Sequence, residues 1–237
     1  MARDLCIRNM AGLKDDHQAV ALFSDSNRSI FLRCDIQGFQ DTLLANTGLQ
    51  FYRDCGIWGT VDFVFGNAAA VFQRCALYAR SPADPSTQDV LTAQGREDHD
   101  GPTGFVFQEC AVAPSALPGE GKLRPETTHT YLGQAWKHHA KVVFIRCSIA
   151  PIVHANGWVS WNKHKKAGGL DPTPGHENHI YFAEYDNHVL GGKEPVTWQG
   201  FTRITKEAAN KFTPPRFFQQ GDDWIRRTGV PYDAHAL

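Results

Sequence analysis

No stretch of about 18 consecutive apolar residues occurs in this 237-residue sequence, so no helix of membrane-spanning length is encoded. Met1-Ala2-Arg3-Asp4 is not followed by an apolar h-region, so no signal peptide is legible at the front. Charge of one sign is not in excess either. The 24 Lys+Arg against 25 Asp+Glu leave a formal net charge of −1, which argues against a dedicated nucleic-acid binder that must neutralise phosphates. Cysteine is scattered: the six lie at positions 6, 34, 55, 75, 110 and 147, without a Cys-x-x-Cys pair. That spacing excludes a crowded secreted scaffold and makes zinc or dithiol redox chemistry a poor fit. What remains is 42% hydrophobic and 21% charged, enough to bury a core and unlike a disordered tail. Only two methionines against 21 glycines and 15 phenylalanines favour strands and turns over a helical bundle. A prior of roughly 150 residues per domain allows one or two domains, and all-β folds of this length are often single.

Five cysteines share a local pattern. It reads Phe31-Leu-Arg-Cys34-Asp-Ile36, Tyr52-Arg-Asp-Cys55-Gly-Ile57, Phe72-Gln-Arg-Cys75-Ala-Leu77, Phe107-Gln-Glu-Cys110-Ala-Val112 and Phe144-Ile-Arg-Cys147-Ser-Ile149. Arg3-Asp-Leu5-Cys-Ile7 fits as an earlier copy with Leu5 in the cysteine place. The copies begin 21 and 20 residues apart, then 35 and 37. Each is a short alternating run rich in β-branched and aromatic residues, which reads as a strand. Units of about 20 residues with no helical pattern between them predict a β-solenoid, its strands stacked roughly 4.8 Å apart. The cysteines then form an interior column of small buried hydrophobes, a reading preferred to disulfides because strand-stacked cysteines are often badly oriented for bonding. The longer spacings are expected to hold loops at 81–88 and 113–128, which are rich in Pro, Gly, Ser and Thr.

The same repeat aligns two carboxylates. In Cys34-Asp-Ile36-Gln-Gly38-Phe-Gln-Asp41 and Cys55-Gly-Ile57-Trp-Gly59-Thr-Val-Asp62 every offset is kept, so Asp41 and Asp62 lie 21 residues and one coil apart. Two carboxylates stacked that closely should not both ionise freely, and one is expected to hold a proton. Such a pair equips a site for general-acid plus nucleophile or base chemistry. Two exposed loop aspartates are the ordinary alternative, opposed here by the apolar Leu43-Leu44 and Phe63-Val64-Phe65 that follow.

Gly38-Phe-Gln-Asp-Thr-Leu43 followed by Gly59-Thr-Val-Asp-Phe-Val-Phe-Gly-Asn67 resembles the plant-type pectin methylesterases. So do His17-Gln-Ala-Val-Ala-Leu22, Leu91-Thr-Ala-Gln-Gly-Arg96, Tyr131-Leu-Gly-Gln-Ala-Trp136, Gly157-Trp-Val-Ser-Trp161, Tyr181-Phe-Ala-Glu-Tyr185, Val196-Thr-Trp-Gln-Gly-Phe201 and Trp224-Ile-Arg-Arg-Thr-Gly-Val-Pro231. The resemblance covers essentially the whole chain. It implies a single right-handed parallel β-helix over 1–237, all-β, with 203–237 as a C-terminal helix and loop cover. A short helix is expected within Thr205–Lys211, stopping before Pro214-Pro215.

For activity the resemblance implies hydrolysis of galacturonate methyl esters in pectin, giving methanol and pectate, in cell-wall modification. Asp62 matches the nucleophile, Asp41 the acid that protonates methanol and then activates water, and Gln18 and Gln40 the donors to the oxyanion. Trp136, Trp158 and Phe65 match aromatic positions of the sugar groove. No metal or other cofactor is implied. The implied partners are methyl-esterified homogalacturonan and a proteinaceous pectin methylesterase inhibitor, with no nucleic acid and no membrane insertion. The implied location is the extracellular cell wall.

Departures from the family pattern bear on activity. Its Leu-Gly-Arg-Pro-Trp block reads Leu-Gly-Gln134-Ala135-Trp136 here, so an amide stands where a guanidinium would hold the nucleophile charged and oriented. Leu44 and Leu49 stand where Tyr and Arg are common, which is expected to thin the groove. The family's Gly-x-Tyr-x-Glu block is absent at the front, so the chain is expected to be either a fragment or an incomplete gene model, with the first coils and a signal peptide belonging to the missing part. A catalytically weakened or inactive pectin-binding β-helix is the alternative these departures raise. A β-helical lyase would want calcium and a basic proton abstractor, and an inverting hydrolase carboxylates about 6.5–9.5 Å apart; the flanking glutamines fit ester hydrolysis better. Lys137-His138-His139-Ala140-Lys141 reads equally as a contact for pectate carboxylates or as a solvated basic turn. His138, His139, His164, His176 and His179 lack a metal-binding helical spacing, and Glu184 reads as structural.

Overall fold

The computed structural model describes residues 1–11, 17–82, 87–117, 129–161, 179–192 and 202–234. Among these residues the strands are short and every pairing between them is parallel, which builds a β-helix of three long sheets. The first sheet contains the motif strands, among them Ser29–Leu32, Leu49–Arg53, Ala69–Gln73, Gly104–Gln108, Lys141–Ile145 and Tyr181–Tyr185. No helix among the described residues is long and apolar enough to cross a membrane.

The repeat has a geometric cause. Phe31, Tyr52, Phe72, Phe107 and Phe144 fall in register on the first sheet. Their rings stack along the axis with centroids 4.9, 4.5, 4.6 and 4.6 Å apart. That spacing is the strand separation itself, so one aromatic per coil forms a continuous interior ladder. Two residues later the chain turns sharply. Asp4, Arg33, Asp54, Arg74, Glu109, Arg146 and Asp186 all have φ between 50° and 56°, a one-residue left-handed corner between the first and second sheets. Their side chains face solvent and some pair along the edge, as Arg33 does with Asp4 at 2.7 Å and Arg74 with Glu109 at 3.1 Å.

Immediately after the corner comes the cysteine column. Cys34, Cys55, Cys75, Cys110 and Cys147 are buried and none is bonded to another. Leu5 occupies the place ahead of Cys34, as the pairing of Cys6 with Asp35 requires, and Cys6 itself is exposed. Asn187 takes the place beyond Cys147 and caps the column, accepting from the Cys147 amide at 2.8 Å and donating to Glu184 at 2.9 Å. Buried Glu184 thus closes the interior polar end of the ladder, a structural setting.

The loops expected at 81–88 and 113–128 begin after Ala79 and after Pro114, because Ala113 still belongs to the strand Ala111–Pro114. The rest of both segments lies partly outside the described residues, and the Val196–Phe201 block lies wholly outside them. At the C-terminus Thr202–Arg203 adds one more strand to the first sheet. A helix at Lys206–Ala209, capped by the Thr205 hydroxyl, runs into a 3-10 turn at Asn210–Phe212 and ends before Pro214. Pro214 and Pro215 then open a further short helix, since proline fits a first turn where its missing N–H is not needed. Ala209, Phe212, Phe217, Phe218, Ile225 and Val230 bury against the outer face of the first sheet, on Phe51, Val71, Val106 and Val143. Leu49 packs in this second core. It therefore does not border the groove, where the family pattern had placed it.

Candidate active site

The third sheet runs Leu22–Ser24, Leu43–Ala45, Val64–Gly66, Thr92–Gln94 and Gln134–Ala135. Its register sets Leu44, Phe65, Ala93 and Gln134 in one row across successive coils. A cleft of about 480 Å3 lies over this row, lined by Gln18, Gln40, Asp41, Asp62, Phe65 and Gln134, with Trp136 and Trp161 at its rim.

Asp41 and Asp62 each sit two residues before a strand of this sheet, and the pairing of Leu43 with Val64 puts them one coil apart. The Asp41 amide donates to the Val61 carbonyl at 2.9 Å. Both aspartates adopt φ in the left-handed region, 60° and 52°, a conformation Asp tolerates better than most residues. Close packing holds the turn. Thr42 Oγ1 donates to the carbonyls of Phe39 (3.0 Å) and Trp58 (2.9 Å), and the Arg80 guanidinium lies 3.7 Å over the Phe39 ring while donating to the Gly38 carbonyl at 2.7 Å. Gly59 is required by the same packing, since a Cβ there would sit 2.1 Å from Phe63 Cβ and 2.7 Å from the Phe39 carbonyl.

The two carboxylates have different surroundings. Gln134 Nε2 donates to Asp62 Oδ1 at 2.7 Å and to Oδ2 at 3.0 Å, and both residues are buried. Donation to both oxygens favours the charged form. Burial pushes the Asp41 carboxyl up to about 6. The rise expected from repulsion between the stacked carboxylates thus has desolvation as its cause instead. The pair is a carboxylate held by an amide beside a carboxyl that keeps its proton into mildly acidic solution.

The sequence-derived residues Gln18, Gln40, Asp41, Asp62, Phe65, Gln134 and Trp136 come together in the cleft. Trp158 does not. It is 5% exposed and stacked on Phe182 at 4.1 Å, bridged to Gly133 and packed in the solenoid core. Trp161, three residues on and 44% exposed, lines the cleft in its place. The Gly157–Trp161 block contains both tryptophans, and only the inward–outward alternation could have told them apart. His164 and His176 lie outside the described residues.

The family model described as Pectinesterase matches residues 1–222. Among curated proteins, Pectinesterase 2 of Citrus sinensis is 38% identical over 237 residues, covering 98% of this chain and 43% of that protein. Putative pectinesterase/pectinesterase inhibitor 38 of Arabidopsis thaliana is 39% identical over 237 residues, covering 98% of this chain and 46% of that protein. The chain thus spans less than half the length of these relatives. Among solved structures, pectin methylesterase from carrot superposes with a TM-score of 0.82 at 38% identity, covering 100% of this chain and 70% of that one. The shared architecture is a right-handed parallel β-helix.

Proposed function

The chain belongs to the pectinesterase family, and from that premise we propose that it removes methyl esters from the galacturonate units of pectin, releasing methanol and leaving pectate in the plant cell wall. The observation that carries the reading is the pairing of two unlike carboxyl groups on successive coils, Asp62 held at both oxygens by Gln134 and Asp41 raised by burial to about 6.

An Asp62 oxygen attacks the C6 ester carbonyl. The amides of Gln18 and Gln40, both lining the cleft, donate to the oxyanion as it forms. The tetrahedral centre collapses, the methoxy oxygen leaves with the Asp41 proton as methanol, and an acyl–Asp62 anhydride remains. Asp41, now a carboxylate, accepts a proton from water as the water oxygen adds to the galacturonoyl carbonyl. The second collapse frees the galacturonate carboxyl and the Asp62 carboxylate, and Asp41 again holds a proton. Phe65, Trp136 and Trp161 offer ring faces for the C–H faces of the sugars. The Arabidopsis relative is named both pectinesterase and pectinesterase inhibitor, which supports a proteinaceous inhibitor as a partner.

The test is methanol release from methyl-esterified pectin by the wild-type chain beside Asp62→Ala and Asp41→Asn. Asp62→Ala should lose nearly all release while still binding pectin, and Asp41→Asn should be severely slowed because its amide delivers no proton. Wild-type rates in Asp62→Ala would sink the assignment.

A further inference from the structure

The outward row of the third sheet does not end at the catalytic cleft. Phe65, which lines the cleft, pairs with Leu44, and Leu44 pairs with Phe23. Three apolar side chains therefore stand in register on successive coils. Neighbouring strands lie about 4.8 Å apart, which puts Phe23 roughly 10 Å from Phe65 along the axis. On its other side Phe65 meets Trp136, the ring centroids 6.1 Å apart.

Leu44 lies along this row rather than away from it. A Cβ at Gly66 would be 3.1 Å from Leu44 Cδ1 and 2.2 Å from the Ala45 carbonyl oxygen, and Gly66 has a φ of +120°. The missing side chain at 66 thus lets Leu44 lean over the strand that carries Phe65. Phe23, at the outer end, is 57% exposed. A single solvent-facing phenylalanine would need no explanation, but this one extends the wall of a cleft.

Just past these strands comes a polar row. Asp25, Asn46 and Asn67 follow Phe23, Leu44 and Phe65 by two residues each. Thr47 Oγ1 and Asn46 Nδ2 both donate to Asp25 Oδ1, at 2.8 and 2.9 Å, and hold its carboxyl below the ordinary range. A fixed negative charge therefore stands beside the outer end of the apolar row. Segments 18–25, 38–52 and 59–73, which build this side of the cleft, contain no lysine or arginine. Arg28, three residues past Asp25, donates instead to Gln220 of the C-terminal cover at 3.1 Å.

Resting on the esterase reading above, we propose that Phe23, Leu44 and Asp25 select the state of a neighbouring sugar. The unit lying on the first-coil side of the reacting one is accepted with its methyl ester intact and disfavoured as a carboxylate. An ester methyl laid on Phe23 and Leu44 leaves water for apolar carbon. A carboxylate there loses water without gaining a donor, and it faces Asp25. The family's common tyrosine at position 44 would offer such a donor, and leucine offers none. Each turnover turns an ester into an acid, so the rate at one unit depends on whether its neighbour on this side has already reacted.

An oligomer of six galacturonates, with two adjacent methyl esters at its centre and free carboxylates elsewhere, tests this by internal competition. Only one of the two esters can react while the other lies on Phe23 and Leu44. The wild type should remove that ester first with about a tenfold bias, roughly fivefold from the buried methyl and twofold from the charge. The surviving ester should then be lost about tenfold more slowly. Mass spectrometry of the fragmented oligomer locates the survivor. Phe23→Gln should cut the bias to about threefold, and Asp25→Lys should cut it by at least half. Both positions are exposed, so the fold is not at stake. Salt should weaken the bias in the wild type and leave it unchanged in Asp25→Asn.

Equal loss of the two esters overturns the proposal, as does a bias that Phe23→Gln and Asp25→Lys both leave intact. Failure of the esterase reading has a different signature, since neither ester is then lost. Titration of the wild type and Phe23→Gln with fully methylated and fully de-esterified oligomers decides the matter in that case. A preference for the methylated oligomer that shrinks in Phe23→Gln keeps this selection without the esterase. The same preference in both proteins removes it.

Discussion

Gln134 clamps Asp62 from 72 residues away in sequence, one amide nitrogen donating to both carboxylate oxygens at 2.7 and 3.0 Å. The contact supplies orientation and a partial positive charge, not a full one. Orientation and charge are therefore separable by substitution at this position.

Gln134→Leu removes both. The expected loss in kcat/KM is about 10- to 30-fold, the equivalent of ~1.5–2 kcal/mol for hydrogen bonds to a buried charged group. Gln134→Arg keeps the donation and adds charge, so methanol release should rise, and rise more at mildly acidic than at neutral pH. Arginine favours the ionised carboxylate, which matters most where part of the Asp62 population is protonated. Some gain from positioning should persist at higher pH. An unchanged pH–rate profile in a folded Gln134→Arg protein would show that the guanidinium adds nothing here.

The interior ladder makes a stability prediction that is independent of the site. Phe107 is fully buried, stacked on Phe72 and Phe144 at 4.6 Å on each side. Phe107→Ala leaves a cavity between two rings and should cost about 3–5 kcal/mol, read as a lowered urea midpoint. Phe107→Leu should cost about half as much, because it restores most of the volume but not the stacking. Equal effects of the two would mean the ladder stabilises only by filling space.

Much of this architecture is legible in the sequence because a coil of the solenoid repeats one backbone path. The Phe–x–x–Cys–x–Ile pattern survives since the aromatic, the left-handed corner and the cysteine each have one allowed orientation per coil. Asp41 and Asp62 are read as neighbours for the same reason, their offsets from Cys34 and Cys55 being equal. Legibility stops where the period breaks. Trp158 and Trp161 lie between long insertions, so nothing in the repeat fixes which points inward. Leu49 faces a core made by the C-terminal segment, a contact of high sequence separation. A histidine cluster joins residues 99, 139 and 179, spaced by inserted loops rather than by one coil, so local sequence conceals it.

Gly59→Ala tests how the acid turn is held. The added carbon would meet Phe63 Cβ at 2.1 Å and the Phe39 carbonyl at 2.7 Å, both on backbone or rigid atoms. Relief requires moving Phe39, whose carbonyl anchors Thr42 beside Asp41. Overpacking of this kind costs about 1–3 kcal/mol, so the protein should still fold at 25 °C with a lower Tm. Methanol release should fall further than the loss of folded protein accounts for, since small displacements at a catalytic turn are amplified in rate. Full specific activity in the folded fraction would mean that Phe39 moves without carrying Asp41.

Asp41 should trade stability for function, with a defined pH signature. Burial raises its carboxyl from an ordinary 3.8 to about 6. Below about pH 3 the group is protonated in both the folded and the unfolded chain, and it contributes no penalty. Between 4 and 6 the unfolded chain ionises first, and above 6 the folded protein must hold a desolvated carboxylate. A displacement of that size corresponds to ~3 kcal/mol, which partial solvent access reduces to ~1–2 kcal/mol. Asp41→Asn, isosteric and always neutral, should therefore stabilise the protein by ~1–2 kcal/mol at pH 7.5 and leave stability unchanged at about pH 3. The same variant should lose most methanol release at every pH. In the wild type kcat/KM should decline as pH rises through about 6, because the free enzyme then loses the proton that methanol needs. Urea titrations at the two pH values and a kcat/KM profile check the pair of effects together. If Asp41→Asn were destabilising at pH 7.5, the carboxylate would be receiving compensation in the folded state, and Asp41 would enter the reaction as a base rather than as an acid.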